Sequence, residues 1–244
     1  MNDSIIQASR VAKRFFVLKN KKTLFKTLKA FCQGKSLYEE FWVFRGLSFE
    51  ITKGEKVALI GRNGAGKTTL LRLLSNIYDI TEGELVVKKQ PLVFLRLWVG
   101  LNGDLSVMDN IYLFGAVHGL ERKFLDAKAE EILQIADLCH LRHVPFKELS
   151  LGQMQRLGMS VVFQTKNDFL IFDESVGNVD YEFMQKTDKY FAAIFSSEKT
   201  VIITSHEPSF LRRYCTRAIW IDKGGIRMDG AINAVLDEYE KASS

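Results

Sequence analysis

At 244 residues, 47% hydrophobic and 26% charged, the chain is long enough for one large core with room for a subdomain, and its balance is that of a soluble globular protein. No stretch reaches the roughly eighteen consecutive apolar residues of a membrane span, and the N-terminus Met1-Asn2-Asp3-Ser4 lacks the charged-then-apolar order of a signal peptide, so a cytoplasmic location is expected. Net charge is +5, yet between Ser4 and Tyr38 there are nine basic residues (Arg10, Lys13, Arg14, Lys19, Lys21, Lys22, Lys26, Lys29, Lys35) and no acid, which leaves −4 on the rest and argues for a local anionic partner rather than a nucleic acid.

In chain order, strand-like runs at Ile5–Val11, Leu47–Ile51 and Lys56–Ile60 come first, and a helix opens after them through Leu70–Leu74. The region Leu85–Leu95 reads as short strands broken by Pro91. A helical stretch follows from about Val107 to Ala136, interrupted at Gly119, then a turn at Leu149–Gln153 and a helix to about Gln164. The apolar strand Phe169–Phe172, a helix over Tyr181–Phe195, the strand Thr200–Thr204 and a helix over Ala231–Tyr239 complete the chain. Apolar strands alternating with helices predict an α/β fold with a mostly parallel sheet covered on both faces. Three scattered cysteines, Cys32, Cys139 and Cys215, form neither a disulfide framework nor a CxxC metal pair.

Between the Lys56–Ile60 strand and its helix lies Gly61-Arg62-Asn63-Gly64-Ala65-Gly66-Lys67-Thr68, followed by Thr69, the spelling of a phosphate-binding loop. Glycines let backbone N–H groups approach phosphates, and the helix presents its positive N-terminal end. Lys67 is placed to reach the β- and γ-phosphates of a nucleoside triphosphate, and Thr68 to ligate Mg²⁺. Asp173 and Glu174 follow the Phe169–Phe172 strand, where a parallel sheet delivers residues to its ligand edge. Asp173 suits the Mg²⁺ ion, and Glu174 the polarising of an attacking water; as a pair they also suit the capping of the next helix. His206, between the Thr200–Thr204 strand and Pro208, reaches the same edge and is a candidate γ-phosphate contact.

The phosphate loop, the turn Leu149-Ser150-Leu151-Gly152-Gln153, Asp173-Glu174 and Ser205-His206, in that order, resemble the nucleotide-binding subunit of an ABC transporter over nearly the whole chain. The resemblance implies a P-loop NTPase of the ABC type across residues 1–244: a mostly parallel sheet with an antiparallel β part and an inserted helical subdomain at about 96–165. It implies ATP and Mg²⁺ as ligands, and ATP hydrolysis coupled to transport. In that family Ser150, Gly152 and Gln153 would contact the γ-phosphate held by the other subunit, so two copies pair head to tail, most simply as a homodimer. Trp42 looks like the aromatic that stacks on adenine, with Phe41 or Phe44 as alternatives, and Asp180 resembles the end of the loop that crosses the dimer interface.

Three departures stand out: Leu151 where the commonest turn has glycine, no glutamine in Leu95–Ser106, where the family's Mg²⁺-sensing residue lies, and Val-Gly-Asn-Val-Asp as the loop that ends at Asp180. All three resemble the branch that exports polysaccharides such as O-antigen, capsule and teichoic acid. An insertion at roughly Phe16–Phe41 points the same way. Within it, Leu24, Phe25, Leu28, Phe31 and Cys32 share one helical face, and Lys22, Lys26, Lys29 and Gln33 the other. Such a basic amphipathic helix over about Lys22–Gln33 suits anionic headgroups at a membrane surface or a pyrophosphate-linked glycan; it suits equally a helix packed on the domain with solvated lysines. The chain ends at Ser244 soon after its last helix, with no room for an added carbohydrate-binding domain. The expected protein is therefore a peripheral ATPase at the cytoplasmic face of the membrane, joined to an integral membrane permease and driving export of a lipid-linked polysaccharide. The alternatives are the same machine with a lipid, peptide or drug cargo, and a soluble ATP-driven switch.

Overall fold

The central strands Lys56–Ile60, Phe169–Asp173 and Thr200–Thr204 are buried at every position because the sheet that holds them is covered on both faces. The computed structural model describes residues 3–18, 38–94, 101–173 and 181–243. Its strands are β1 (Ser4–Leu18), β2 (Tyr38–Thr52), β3 (Lys56–Ile60), β4 (Glu82–Val87), β5 (Leu92–Phe94), β6 (Phe169–Asp173), β7 (Thr200–Thr204), β8 (Arg217–Asp222) and β9 (Gly225–Ala231). Its helices are α1 (Lys67–Leu74), α2 (Val107–Val117), α3 (Arg122–Ala136), α4 (Leu151–Val162), α5 (Tyr181–Ser196), α6 (Pro208–Tyr214) and α7 (Ile232–Ser243). A six-stranded sheet has the order β5-β6-β7-β3-β8-β9, parallel except for β9, and a three-stranded antiparallel sheet has the order β2-β1-β4.

Along each central strand successive side chains enter different cores, as the period of two requires. Ala58, Ile60, Leu170, Phe172, Val201, Ile203 and Trp220 join the core made with α2 to α7. Val57, Leu59, Phe169, Ile171, Ile202, Ile219 and Ile221 join the core closed by α1 and the antiparallel sheet. Each Val, Leu, Ile or Phe among them, fully buried, contributes about 1.5–3 kcal/mol relative to exposure. Pro91 breaks the Leu85–Leu95 region as expected, and the two strands beside it belong to different sheets, β4 pairing with β1 and β5 with β6. The long helical stretch resolves into α2 and α3. Ser106 caps the first of these, accepting from the Asp109 N–H at 3.0 Å, and Asp137 closes the second in a left-handed conformation, φ 64°. Helices α2, α3 and α4 pack on one another.

Three expectations are corrected. The insertion begins later and ends earlier than Phe16–Phe41, because Phe16, Val17 and Leu18 pair with Glu40, Glu39 and Tyr38 as the far end of a 15-residue ribbon. That end projects beyond the core, with Phe16, Val17, Tyr38 and Phe41 exposed, so no inside-outside alternation marks it in the sequence. The hairpin β8–β9 is absent from the sequence reading; its turn is Lys223-Gly224, both at positive φ (47° and 78°), the geometry that suits a two-residue connection between twisted strands. Finally, Ala231 closes β9, and the last helix starts at Ile232.

Candidate nucleotide-binding site

At the end of β3 the chain turns into the glycine loop. Gly61 has φ 151°, and a Cβ there would lie 2.3 Å from the Ile221 carbonyl oxygen of β8, so backbone meets backbone where a side chain would stand. Arg62, Asn63 and Gly64 are exposed, Ala65 is half-buried and donates its N–H back to the Arg62 carbonyl at 3.1 Å. Gly66, at φ 101°, precedes α1 with no side-chain cap. A Cβ on it would meet Val43 Cγ1 at 2.7 Å and Phe44 Cδ1 at 3.1 Å, so β2 packs directly against the loop. The first amides of α1 have no intrahelical acceptor and no acidic residue stands in its first turn, which leaves a positive helix end beside exposed backbone.

Lys67 is buried, and its Nζ donates to the carbonyls of Gly61 (2.9 Å) and Arg62 (3.4 Å), which holds the ammonium over the loop. One turn of sheet away, Asp173 ends β6 opposite Thr204 of β7. Its carboxylate accepts from the hydroxyl of Thr68 at 2.7 Å and from that of Thr204 at 2.7 Å. The ends of three neighbouring strands, β3, β7 and β6, thus converge on Lys67, Thr68 and Asp173, the carboxyl edge where open α/β sheets bind ligands. Thr68 and Asp173, hydrogen-bonded to each other, offer two hard oxygen donors. That combination fits Mg²⁺, which takes one or two protein ligands and completes its shell with phosphates and water. Thr69 is half-buried in the first turn of α1; His206, two residues beyond β7, is exposed at the same edge.

Trp42 sits on β2, two residues before Phe44. Its Nε1 donates to Glu40 at 3.3 Å, and the Arg45 guanidinium lies 3.8 Å from its ring centroid. Phe44 is 1% exposed against Gly66, which removes it as an alternative base platform, whereas Phe41 is exposed. The turn at Ser150 opens α4: the Ser150 hydroxyl accepts from the Gln153 N–H at 3.3 Å, and Gln153 Oε1 accepts from the Ser150 N–H at 2.9 Å, a reciprocal capping box. Leu151 is 59% exposed beside Gly152, at the tip of that helix. Glu174 and Asp180 lie outside the described residues, as do the helix expected at Lys22–Gln33 and residues 95–100. The part of the glutamine-less segment that is described, Leu101 to Ser106, is pinned by buried Asn110, whose amide accepts from the Asn102 N–H and donates to the carbonyls of Asn102, Leu105 and Ser106.

Thr204 was missed as a site residue. A hydroxyl directly after the apolar run Val201–Ile203 is its signal, but only the pairing of β6 with β7 shows that it meets Asp173, 31 residues away.

The chain aligns, at 32% identity over 83% of its length and 82% of the relative's, with the O-antigen export system ATP-binding protein RfbB of Klebsiella pneumoniae. At 30% identity over 97% of its length it aligns with the teichoic acids export ATP-binding protein TagH of Lactococcus lactis, of which it spans 50%. In shape it is similar to a solved dimeric ATP-binding cassette in a post-hydrolysis state bound to ADP and Pi, with a TM-score of 0.70, 18% identity, and coverage of 93% of this chain and 98% of that one. The model of the ABC transporter family matches residues 44–177, a span that runs from the strand packed on the glycine loop to just past Asp173, and the chain therefore belongs to the ABC transporter family.

Proposed function

We propose that this chain is the ATP-hydrolysing subunit of an ABC transporter that powers export of a lipid-linked polysaccharide. The observation that carries the ATPase reading is the convergence of Lys67, Thr68 and Asp173 at one sheet edge, with Thr68 and Thr204 both donating to the same carboxylate. The likeness to two polysaccharide-export ATP-binding proteins supports the cargo.

In this reading, loop amides from Gly61, Asn63, Gly64, Ala65 and Gly66, with those of Lys67, Thr68 and Thr69, cradle the phosphates, and Lys67 turns its ammonium from the loop carbonyls toward the β- and γ-oxygens. Thr68 and Asp173 hold Mg²⁺, which supplies positive charge against the triphosphate. Glu174 orients the attacking water, and His206 fixes the γ-phosphate. Trp42 carries the adenine.

Two copies pair head to tail, so that Ser150, Gly152 and Gln153 of one reach the γ-phosphate held by the other, with Asp180 at the interface. ATP shifts such a clamp only by its differential affinity for closed and open states, and contacts made by the signature turn after closure supply that difference. The capping box uses the Ser150 hydroxyl and Gln153 Oε1 as acceptors, while a phosphate takes donors, so the same side chains can serve both. A permease in the membrane receives the motion at the cytoplasmic face. The basic segment Lys22–Gln33 meets anionic headgroups or the glycan's pyrophosphate there. Residues 1–244 act as one nucleotide-binding domain, with about 96–165 as its helical part.

The test replaces the protein by Glu174→Gln in its source cell and follows lipid-linked glycan inside and polysaccharide at the surface. Glycan accumulating inside while surface polymer falls is the expected result. Unchanged surface glycan refutes the cargo, and normal steady-state hydrolysis by the purified variant refutes the role of Glu174.

A further inference from the structure

The indole of Trp42 is held by side chains of its own ribbon. Glu40, two residues along β2, accepts from Trp42 Nε1 at 3.3 Å through Oε2, and through Oε1 from Arg14 Nη1 at 2.7 Å. Arg14 is the cross-strand partner of Trp42 on β1, beside an irregularity in register between Lys13 and Arg14. The Arg45 guanidinium carbon stands 3.8 Å from the Trp42 centroid, in stacking contact with one ring face, and that of Arg14 lies over the same ring at 5.3 Å, also within cation–π reach. Arg45 is itself anchored, its N–H donating to the Gly224 carbonyl of the β8–β9 turn at 2.9 Å. Between Trp42 and Arg45, Val43 and Phe44 press on Gly66, which ties this stretch of β2 to the glycine loop.

An exposed ion pair such as Arg14–Glu40 adds little stability by itself. Its geometry does something else: it fixes the carboxylate that takes the indole N–H, and so the rotation of the ring. Arg45 meanwhile occupies one face with a cation attracted to the ring's quadrupole. A ring so held has lost its side-chain freedom before a base arrives.

We infer that Arg45 and the Arg14–Glu40 pair are positioning residues, which hold the Trp42 indole in one orientation as the platform on which a purine base stacks. The inference rests on the reading of Trp42 as the base platform.

The test measures binding of ATP and of inorganic tripolyphosphate, each with Mg²⁺, to the full chain by calorimetry. The variants are Trp42→Ala, Arg45→Ala, Arg45→Lys, Glu40→Ala and the double variant Trp42→Ala/Arg45→Ala. Arg45→Ala is expected to weaken ATP about three- to tenfold and Glu40→Ala about twofold to fivefold, as the loss of one pre-ordered side chain implies. Tripolyphosphate affinity is expected to stay at the wild-type value in both, which also shows that the loop has folded. Arg45→Lys recovers part of the loss, and Arg45→Ala adds nothing once Trp42 is gone. If Trp42→Ala weakens ATP and Arg45→Ala does not, the positioning role is overturned while the platform stands. Equal weakening of ATP and tripolyphosphate by Arg45→Ala overturns it in favour of a role in the loop. Unaltered ATP affinity in Trp42→Ala overturns the platform reading and this inference with it.

Discussion

His118, at the carboxyl end of α2, makes stability depend on pH in a way that can be isolated by one substitution. Its ring packs edge-on against Phe114 (4.2 Å between centroids) and lies 5.0 Å from Phe94, and its Nε2 is buried with no hydrogen-bond partner among the described residues. Burial disfavours the imidazolium and lowers the pKa from 6.5 to about 4, against the opposite pull of the helix's negative end. Because the folded value lies below the unfolded one, the neutral ring's stabilising contribution is fully present above pH 6.5. It is lost as pH falls from 6.5 toward 4, where the unfolded chain takes up a proton that the folded chain refuses. At about 1.4 kcal/mol per pH unit the full window sets a ceiling of about 3 kcal/mol. The ring keeps partial contact with solvent, which screens the charge, so about 1–2 kcal/mol is the expected loss. For a chain of this size that is a fall in Tm of about 2–8 °C. Urea unfolding measured every half unit from pH 7.5 to 4.5, for the wild type and for His118→Phe, separates this proton from the carboxylates that titrate in both. The wild type should lose about 1–2 kcal/mol more than the variant across the window. Parallel curves would refute the assignment of a buried neutral histidine.

Gly66→Ala places a Cβ 2.7 Å from Val43 Cγ1 at φ 101°, combining left-handed strain with overpacking, and should cost about 2–4 kcal/mol by denaturant unfolding while displacing the loop enough to abolish calorimetric ATP binding. Thr204→Val removes the 2.7 Å hydroxyl donor from a carboxylate 8% exposed, so stability should fall by about 1–3 kcal/mol; Thr204→Ser, which keeps the hydroxyl, should recover most of it, and equal losses in the two would point to packing instead. Cys215, buried and with its thiol pushed up to about 12, should label with a thiol reagent only as fast as the chain opens, read by peptide mass spectrometry; labelling at the rate of an exposed thiol would contradict its burial.

The amino-acid sequence by itself determined the elements whose physics is local. The loop from Gly61 to Thr68 is spelled by glycines that tolerate positive φ or leave backbone bare, and β3, β6 and β7 carry the apolar runs Val57–Ile60, Phe169–Phe172 and Val201–Ile203, which suit a sheet buried on both sides. Ser150 and Gln153 carry their capping relation in their spacing of three. Tertiary structure alone decided which distant residues meet. The motifs place Thr68 and Asp173 at one ion, but nothing in the order of residues says that Thr204 also reaches Asp173, because that depends on β6 pairing with β7 in the sheet. Nor does local pattern tell that Phe44 is spent on packing Gly66 while Trp42, two positions away, remains at the surface under Arg45. The β8–β9 hairpin and the far end of the β1–β2 ribbon were illegible for related reasons. The first depends on a Lys-Gly turn whose positive φ at lysine no propensity favours. The second continues by strand pairing past the point where a core imposes alternation, so its backbone hydrogen bonds, rather than its side chains, keep it extended.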